Sequence, residues 1–247
     1  MPTTFYGVSK QYGNNYFNIT VNFSDSTTFT KVISIPDGNY TRESIMNIIN
    51  AQLAIAGIPF SYVSFIINLT ADETGSGQTL VGPNSTQPVL PAPVITSIEL
   101  NFQADRFGLE DRGTPLPLKF GWLLGFRNGI YVGNTNYVSE GVVDVSGPKY
   151  LFLVVDDYNS SVNNNFYSAF NSSILNKNIL ARISIQVDNF KTLEQNNLNL
   201  VTTPREYFGP VNLNNLTIQL LDEYGRIVDL NYMDYSFCLT LITVYDI

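Results

Sequence analysis

Leu216-Thr217-Ile218-Gln219-Leu220, closed by Asp222-Glu223-Tyr224-Gly225, is the stretch that decides the fold class. Apolar residues alternate with threonine and glutamine, and a period of two sends successive side chains to opposite faces of a strand. Asp222 to Gly225 supply turn chemistry, since glycine meets no steric bar to positive φ. Ile227-Val228-Asp229-Leu230 follows, and then a second alternating run. Tyr235, Phe237, Leu239 and Leu241 fall on one face of it, with Ser236, Cys238 and Thr240 on the other. This pattern predicts a final strand tucked into a sheet. Tyr207-Phe208-Gly209-Pro210 leads into the whole stretch as a rigid, aromatic corner.

Working outward from there, the same period recurs upstream. Ala181, Ile183, Ile185 and Val187 alternate with Arg182, Ser184 and Gln186, and residues 149–155 form an apolar run suited to a strand buried on both faces. Ile98, Leu100 and Phe102 alternate with Ser97, Glu99 and Asn101; residues 59–68 read as another strand. The cleanest case is 16–23, where Phe17, Ile19, Val21 and Phe23 alternate with Asn18, Thr20 and Asn22. Ser24-Asp25-Ser26 then turns the chain into a second strand, 28–35, as a hairpin.

One helix interrupts the strands. Pro36-Asp37-Gly38-Asn39 breaks the second strand, Thr41 is a good N-cap, and 44–54 carries Ile45, Ile48, Ile49 and Leu53 at helical spacing before Gly57. Residues 118–126 hold the sole tryptophan and predict a short helix or turn, after a charged, proline-containing connection at 106–117. Residues 71–93, rich in glycine and proline, and 156–178, rich in asparagine and serine, are expected as long surface loops. Roughly eight or nine strands and no internal repeat make the expectation all-β: a single jelly-roll β-sandwich with one short amphipathic helix and long loops. One domain, 1–247, accommodates it, because a chain of 247 residues can close one core without disulfide staples.

Composition narrows the function classes. Thirteen Lys and Arg against 21 Asp and Glu give a net charge of −8 and no basic cluster, which argues against direct nucleic-acid binding. With 13% aromatic and only 14% charged residues, the surface suits neutral protein–protein contacts. There is no histidine, which removes Ser-His-Asp and Cys-His mechanisms and the commonest transition-metal ligand. Cys238 is the lone cysteine; it reads as a small buried hydrophobe in the last strand, and it is compatible with a reducing compartment. Neither a signal peptide nor a membrane-spanning segment is expected.

The acidic pairs Glu110-Asp111, Asp156-Asp157 and Asp222-Glu223 are adjacent residues, which cannot alone place two carboxylates across a cleft; they read as solvated loop groups. No phosphate-loop, nucleophile-elbow or EF-hand spacing occurs. Sequons at Asn18, Asn22, Asn39, Asn68, Asn84, Asn159, Asn171 and Asn215 read as products of a composition rich in Asn, Ser and Thr. No catalytic, cofactor-binding or metal-ligating residue is therefore assigned, no cofactor is expected, and the chain reads as a non-enzyme.

Three pieces of sequence, in order, resemble capsid-building proteins of the nucleocytoplasmic large DNA viruses. Ile35-Pro36-Asp37-Gly38-Asn39-Tyr40-Thr41 before the helix resembles the opening of viral jelly rolls, and Leu123-Leu124-Gly125-Phe126 resembles their central Leu-Gly-Phe element. Tyr207 to Val211, then 216–220, then 225–231 resemble their ending. The chain is too short for the two jelly rolls of a major capsid protein. The resemblance therefore implies a penton, the pentameric vertex capsomer of a large icosahedral double-stranded DNA virus. It implies a homo-pentamer contacting major capsid protein capsomers and minor capsid proteins, located in the virion and assembled in the host cytoplasm. The alternatives are a minor capsid protein under or between major capsomers, or a carbohydrate-binding jelly roll on the virion surface. The latter would use Asn-rich loops and Tyr158, Tyr167 or Trp122 as platforms.

Overall fold

The alternation at 16–23 becomes β1 (Tyr16–Phe23), whose Phe17, Ile19, Val21 and Phe23 are all buried. The computed structural model describes residues 3–243 except 71, 73, 159–161, 164–167, 171–172, 176–177, 187–189, 194–199, 203 and 208. β2 (Thr28–Ser34) pairs with β1 as an antiparallel hairpin, Tyr16 opposite Ser34 and Asn22 opposite Thr28. Asp25 sets the turn by accepting hydrogen bonds from the amide and hydroxyl of Thr27.

α1 (Arg42–Ala56) starts at the expected cap. The Thr41 hydroxyl accepts from the Ser44 amide, the Ser44 hydroxyl accepts from the Thr41 amide, and Gly57 ends the helix at φ 82°. Such reciprocal bonds satisfy amides that the first turn leaves without partners. Ile45, Met46, Ile49 and Leu53 are buried against β3 (Val63–Ile67) and β2, while Ile48 is half-buried. Then come β4 (Gln78–Pro83), β5 (Ile95–Asn101), α2 (Phe120–Leu123), β6 (Ile130–Asn134) and β7 (Tyr137–Val142). They form two antiparallel sheets, β2-β1-β5-β6 and β3-β4-β7. Phe17, Phe65, Phe102 and Phe120 meet in one core, with the Phe17 and Phe120 rings stacked at 5.8 Å.

The chain divides into two compact units, Tyr6–Gly147, which holds these elements, and Pro148–Ile247 with Met1–Phe5. In the second unit β8 (Tyr150–Asp156) is buried on both faces as its apolar run predicts. Leu151, Leu153 and Val155 join Phe5, Ala181 and Leu220 on one side; Phe152 and Val154 join Ile179 and Leu221 on the other. The remaining strands are β9 (Val162–Asn163), β10 (Ser168–Phe170), β11 (Ser173–Leu175), β12 (Ile179–Ser184), β13 (Leu200–Thr202), β14 (Glu206–Tyr207) and β15 (Thr217–Leu221). The main sheet is β13-β12-β8-β15, and β14-β9 and β10-β11 form two separate two-stranded pairs. All these pairings are antiparallel, and the fold class is all-β.

Four expectations fail. The run 235–241 is not a sheet strand: residues 234–243 have no ladder partner among the described residues, and Cys238, expected to be buried, is exposed. Alternation alone cannot supply a neighbouring edge, and the turn after β15 brings Ile227 and Val228, not the last residues, back onto Leu221 and Leu220. The stretch 71–93 is not all loop, because β4 buries Thr79 and Val81 within it. The stretch 156–178 likewise contains β9, β10 and β11. Val187, Phe208 and Asn164-Asn165 lie outside the described residues.

Candidate functional site

Glu110 is exposed, as a solvated loop group should be, but one member of each acidic pair has a structural task. Asp222 is fully buried, accepts from the amides of Tyr224 and Arg226 through Oδ1, and takes the Arg226 guanidinium on Oδ2 at 2.7 Å. It therefore clamps the β15 turn, with Gly225 at φ 80°. Asp157 is buried, accepts the Tyr207 hydroxyl at 2.5 Å and pairs with Arg205 at 3.5 Å. Arg205 in turn donates to the carbonyls of Val155 and Asn178. Burial raises the Tyr207 phenol above its ordinary value, and the Asp157 carboxylate adds to this. In the other unit Asp111 meets the buried Lys119 ammonium at 2.5 Å, and that hydrogen bond is the chief reason its carboxyl falls to about 2. A buried charge is tolerable only with a partner, and each of these carboxylates secures a turn or a strand end.

Glu140 also sits in a polar constellation. It accepts from the Tyr131 hydroxyl, the Asn128 side chain and the Arg127 amide, and these bonds hold its pKa down against the opposing effect of burial. A carboxylate stabilised in its charged form is poorly suited to act as a proton donor or acceptor near neutral pH. Among the described residues no group of three or more His, Cys, Asp or Glu side chains could hold a metal ion.

The proposed sugar platforms are differently placed. Arg127 lies 4.1 Å from the Trp122 ring, so this face already carries a guanidinium. Tyr158 is exposed, its hydroxyl 2.6 Å from that of Thr217. Tyr167, with the sequons Asn159 and Asn171, lies outside the described residues. Asn22 uses its side-chain amide on Ser97 and Glu99, which ties it to β5.

What the fold does build is surface. In the β3-β4-β7 sheet, Phe65, Val81 and Tyr137 lie in register and are buried, whereas Ile66, Leu80 and Val138 form the neighbouring row on the opposite face. Ile66 is 55% exposed and Val138 54%. The 104–110 turn is a second such feature. Asp105 Oδ1 accepts from the amides of Phe107 and Leu109, Gly108 adopts φ 83°, and Ala104 bridges Glu110. This fixed loop presents Phe107 at 69% exposure and Leu109 at 66%. Neither feature was visible as a site in sequence; Asp105-x-x-Gly108 is a turn signal, but exposure of its apolar residues is decided by packing.

The central Leu123-Leu124-Gly125-Phe126 motif is structural. Gly125 adopts φ 91°, and a Cβ there would stand 2.2 Å from the Gly141 carbonyl oxygen. The Leu124 carbonyl accepts the buried Thr79 hydroxyl, joining this turn to β4.

No helix among the described residues is long and apolar enough to cross a membrane. No family model matches the chain. No curated protein matches it either. Among solved structures it is similar to the crystal structure of the selenomethionine-labelled mavirus penton protein. The TM-score is 0.41 at 11% identity, with 91% of this chain and 75% of that one covered. The likeness is distant and carries no argument about role.

Proposed function

We propose that the chain, residues 1–247 acting as one building block, is a structural capsid protein that forms the pentameric vertex capsomer of a large icosahedral double-stranded DNA virus. The observation that carries this reading is the row Ile66, Leu80 and Val138, apolar and in register on the outer face of an antiparallel sheet. Exposed apolar rows of this kind mark contact with another protein. The fixed Phe107 and Leu109 turn supplies a second apolar contact whose order is already established before binding. The ordered resemblance of the 35–41, 123–126 and 207–231 motifs to large-DNA-virus capsid proteins supplies the biological setting.

Copies carrying −8 repel one another, so self-contact belongs on low-charge surface. The partners on this reading are further copies, neighbouring major capsid protein capsomers and minor capsid proteins, without direct nucleic-acid contact. The chain resides in the virion, assembled in the host cytoplasm, and has no catalytic role. Reconstruction of the particle with side-chain detail at the five-fold axis tests the proposal. Five copies around the vertex are expected. Copies under the facets, or in trimers, would instead make it a minor capsid protein.

A further inference from the structure

Residues 234–243 have the side-chain pattern of a strand but, among the described residues, no neighbouring strand. Tyr235 and Leu239 pack on the core of their own unit, and the Tyr235 and Phe237 rings stack at 6.1 Å. Leu241 is 70% exposed and Ile242 85%. No backbone group of 234–243 has a backbone partner among the described residues. A row of amides and carbonyls without backbone partners among the described residues, carrying strand-forming side chains, is a template for pairing with a sheet edge.

β2 supplies such an edge. The bonds from Phe23 N to Thr27 O and from Ile35 N to Asn15 O bracket its pairing with β1. In an antiparallel ladder bonded pairs alternate with non-bonded ones, so Phe29, Lys31 and Ile33 bond to β1. The amides of Thr28, Thr30 and Val32 then point away from β1, and none has a partner among the described residues. Thr28 to Lys31 are exposed. Charge also matches: Asp234 is the sole charged residue of 234–243 and Lys31 the sole one of β2.

We infer that residues 234–243 add as a strand to the open edge of β2 in a second copy of this chain. Each copy then carries one donor strand and one receiving edge, a heterologous contact that closes into a ring when the rotation between copies allows. The inference rests on the reading of the chain as a self-associating capsid block, and it names the surfaces that associate.

The test uses hydrogen exchange on the full chain across a concentration series, with the mass of the assembly measured in parallel. Amides of 234–243 and those of Thr28, Thr30 and Val32 are expected to slow together, at least about tenfold, as the chain associates. Thr30→Pro removes one outward amide and leaves the bonded pairs with β1 intact, a change edge strands tolerate. A chain ending at Met233 lacks the donor. Each variant alone should stay monomeric, and a mixture should form one-to-one heterodimers, which restores a competent donor and edge. Recovery in the mixture also shows that both variants fold. Association of Thr30→Pro like the unaltered chain overturns the inference. So does protection of 234–243 that is independent of concentration, which would place the strand on its own chain. A chain that stays monomeric throughout overturns it too. Association with freely exchanging 234–243 sinks this contact and leaves the vertex proposal standing, since particle reconstruction decides that separately.

Discussion

β1 and residues 235–241 carry the same sequence pattern and meet different ends. In β1 the alternate apolar side chains enter a closed aromatic core, and β2 and β5 take up the backbone on both sides. In 235–241 Tyr235 and Leu239 reach a core, Phe237 and Leu241 stay exposed, and the backbone has no backbone partner among the described residues. Alternation therefore states which side chains share a face. It does not state whether a neighbouring strand exists, because that depends on hydrogen-bonding edges brought up from distant sequence.

The comparison can be broken most decisively at Phe17. Its ring is fully buried against Phe65, Phe102 and Phe120. Phe17→Ala should cost about 3–5 kcal/mol, from lost transfer energy plus the cavity left behind. Denaturant unfolding of the Tyr6–Gly147 unit measures it; a loss under about 1 kcal/mol would show that β1 is not core.

A second, smaller effect concerns how edges are managed. β3 is an edge strand, yet the Asn50 side chain of α1 donates to the Phe65 carbonyl and accepts from the Phe65 amide, both at 2.8 Å. Asn50→Ala should lower stability by about 1–3 kcal/mol, because it strips partners from a half-buried backbone. Faster exchange at the Phe65 amide would accompany the loss. Unchanged exchange there would mean that water replaces the side chain.

Charge follows the same rule of partnership. Asp111 is held to about 2, chiefly by its hydrogen bond from Lys119, so the folded state favours the ionised carboxyl. That stabilisation is complete above the unfolded value near ~3.9 and fades as pH falls from ~4 towards ~2. Acid titration of the melting temperature should show a modest decline in this window. The decline should be flatter in Asp111→Asn. Identical slopes in the two proteins would discount the pair.

The smallest effect is expected at Phe237. Phe237→Ser in dilute protein should change stability by no more than about 0.5 kcal/mol, as at ordinary surface positions. A loss approaching that of Phe17→Ala would place 235–241 inside a core and erase the contrast.

Legibility in the sequence followed local physics. β1, the hairpin to β2, the Thr41 cap and the doubly buried β8 were all readable, because each depends on side-chain period or on residues a few positions apart. β4 was hidden by the glycines and prolines that flank it, though Thr79 and Val81 alternate with their neighbours. β6 and β7 contain Gly133 and Gly141, which weaken the pattern; Gly141 leaves room for Arg127, whose guanidinium would lie 2.6 Å from a Cβ there. Asp157 was misread because its burial requires Arg205 and Tyr207 to arrive from elsewhere, and Asp222 because the packing that buries it is not set by its own turn, although its partner Arg226 is local.

By itself, then, the sequence determined the all-β class, the single amphipathic helix with its cap and stop, and the absence of histidine chemistry. These follow from composition and from forces acting within a few residues. Only the tertiary structure decided which alternating runs gain neighbours, which carboxylates are buried, and which apolar rows face outward. Ile66 and Phe65 are adjacent and almost equally apolar, yet one is exposed and the other in the core. The physical reason is that burial and ladder pairing are properties of surfaces assembled from distant segments, and no local pattern specifies the segment that will lie on the other side.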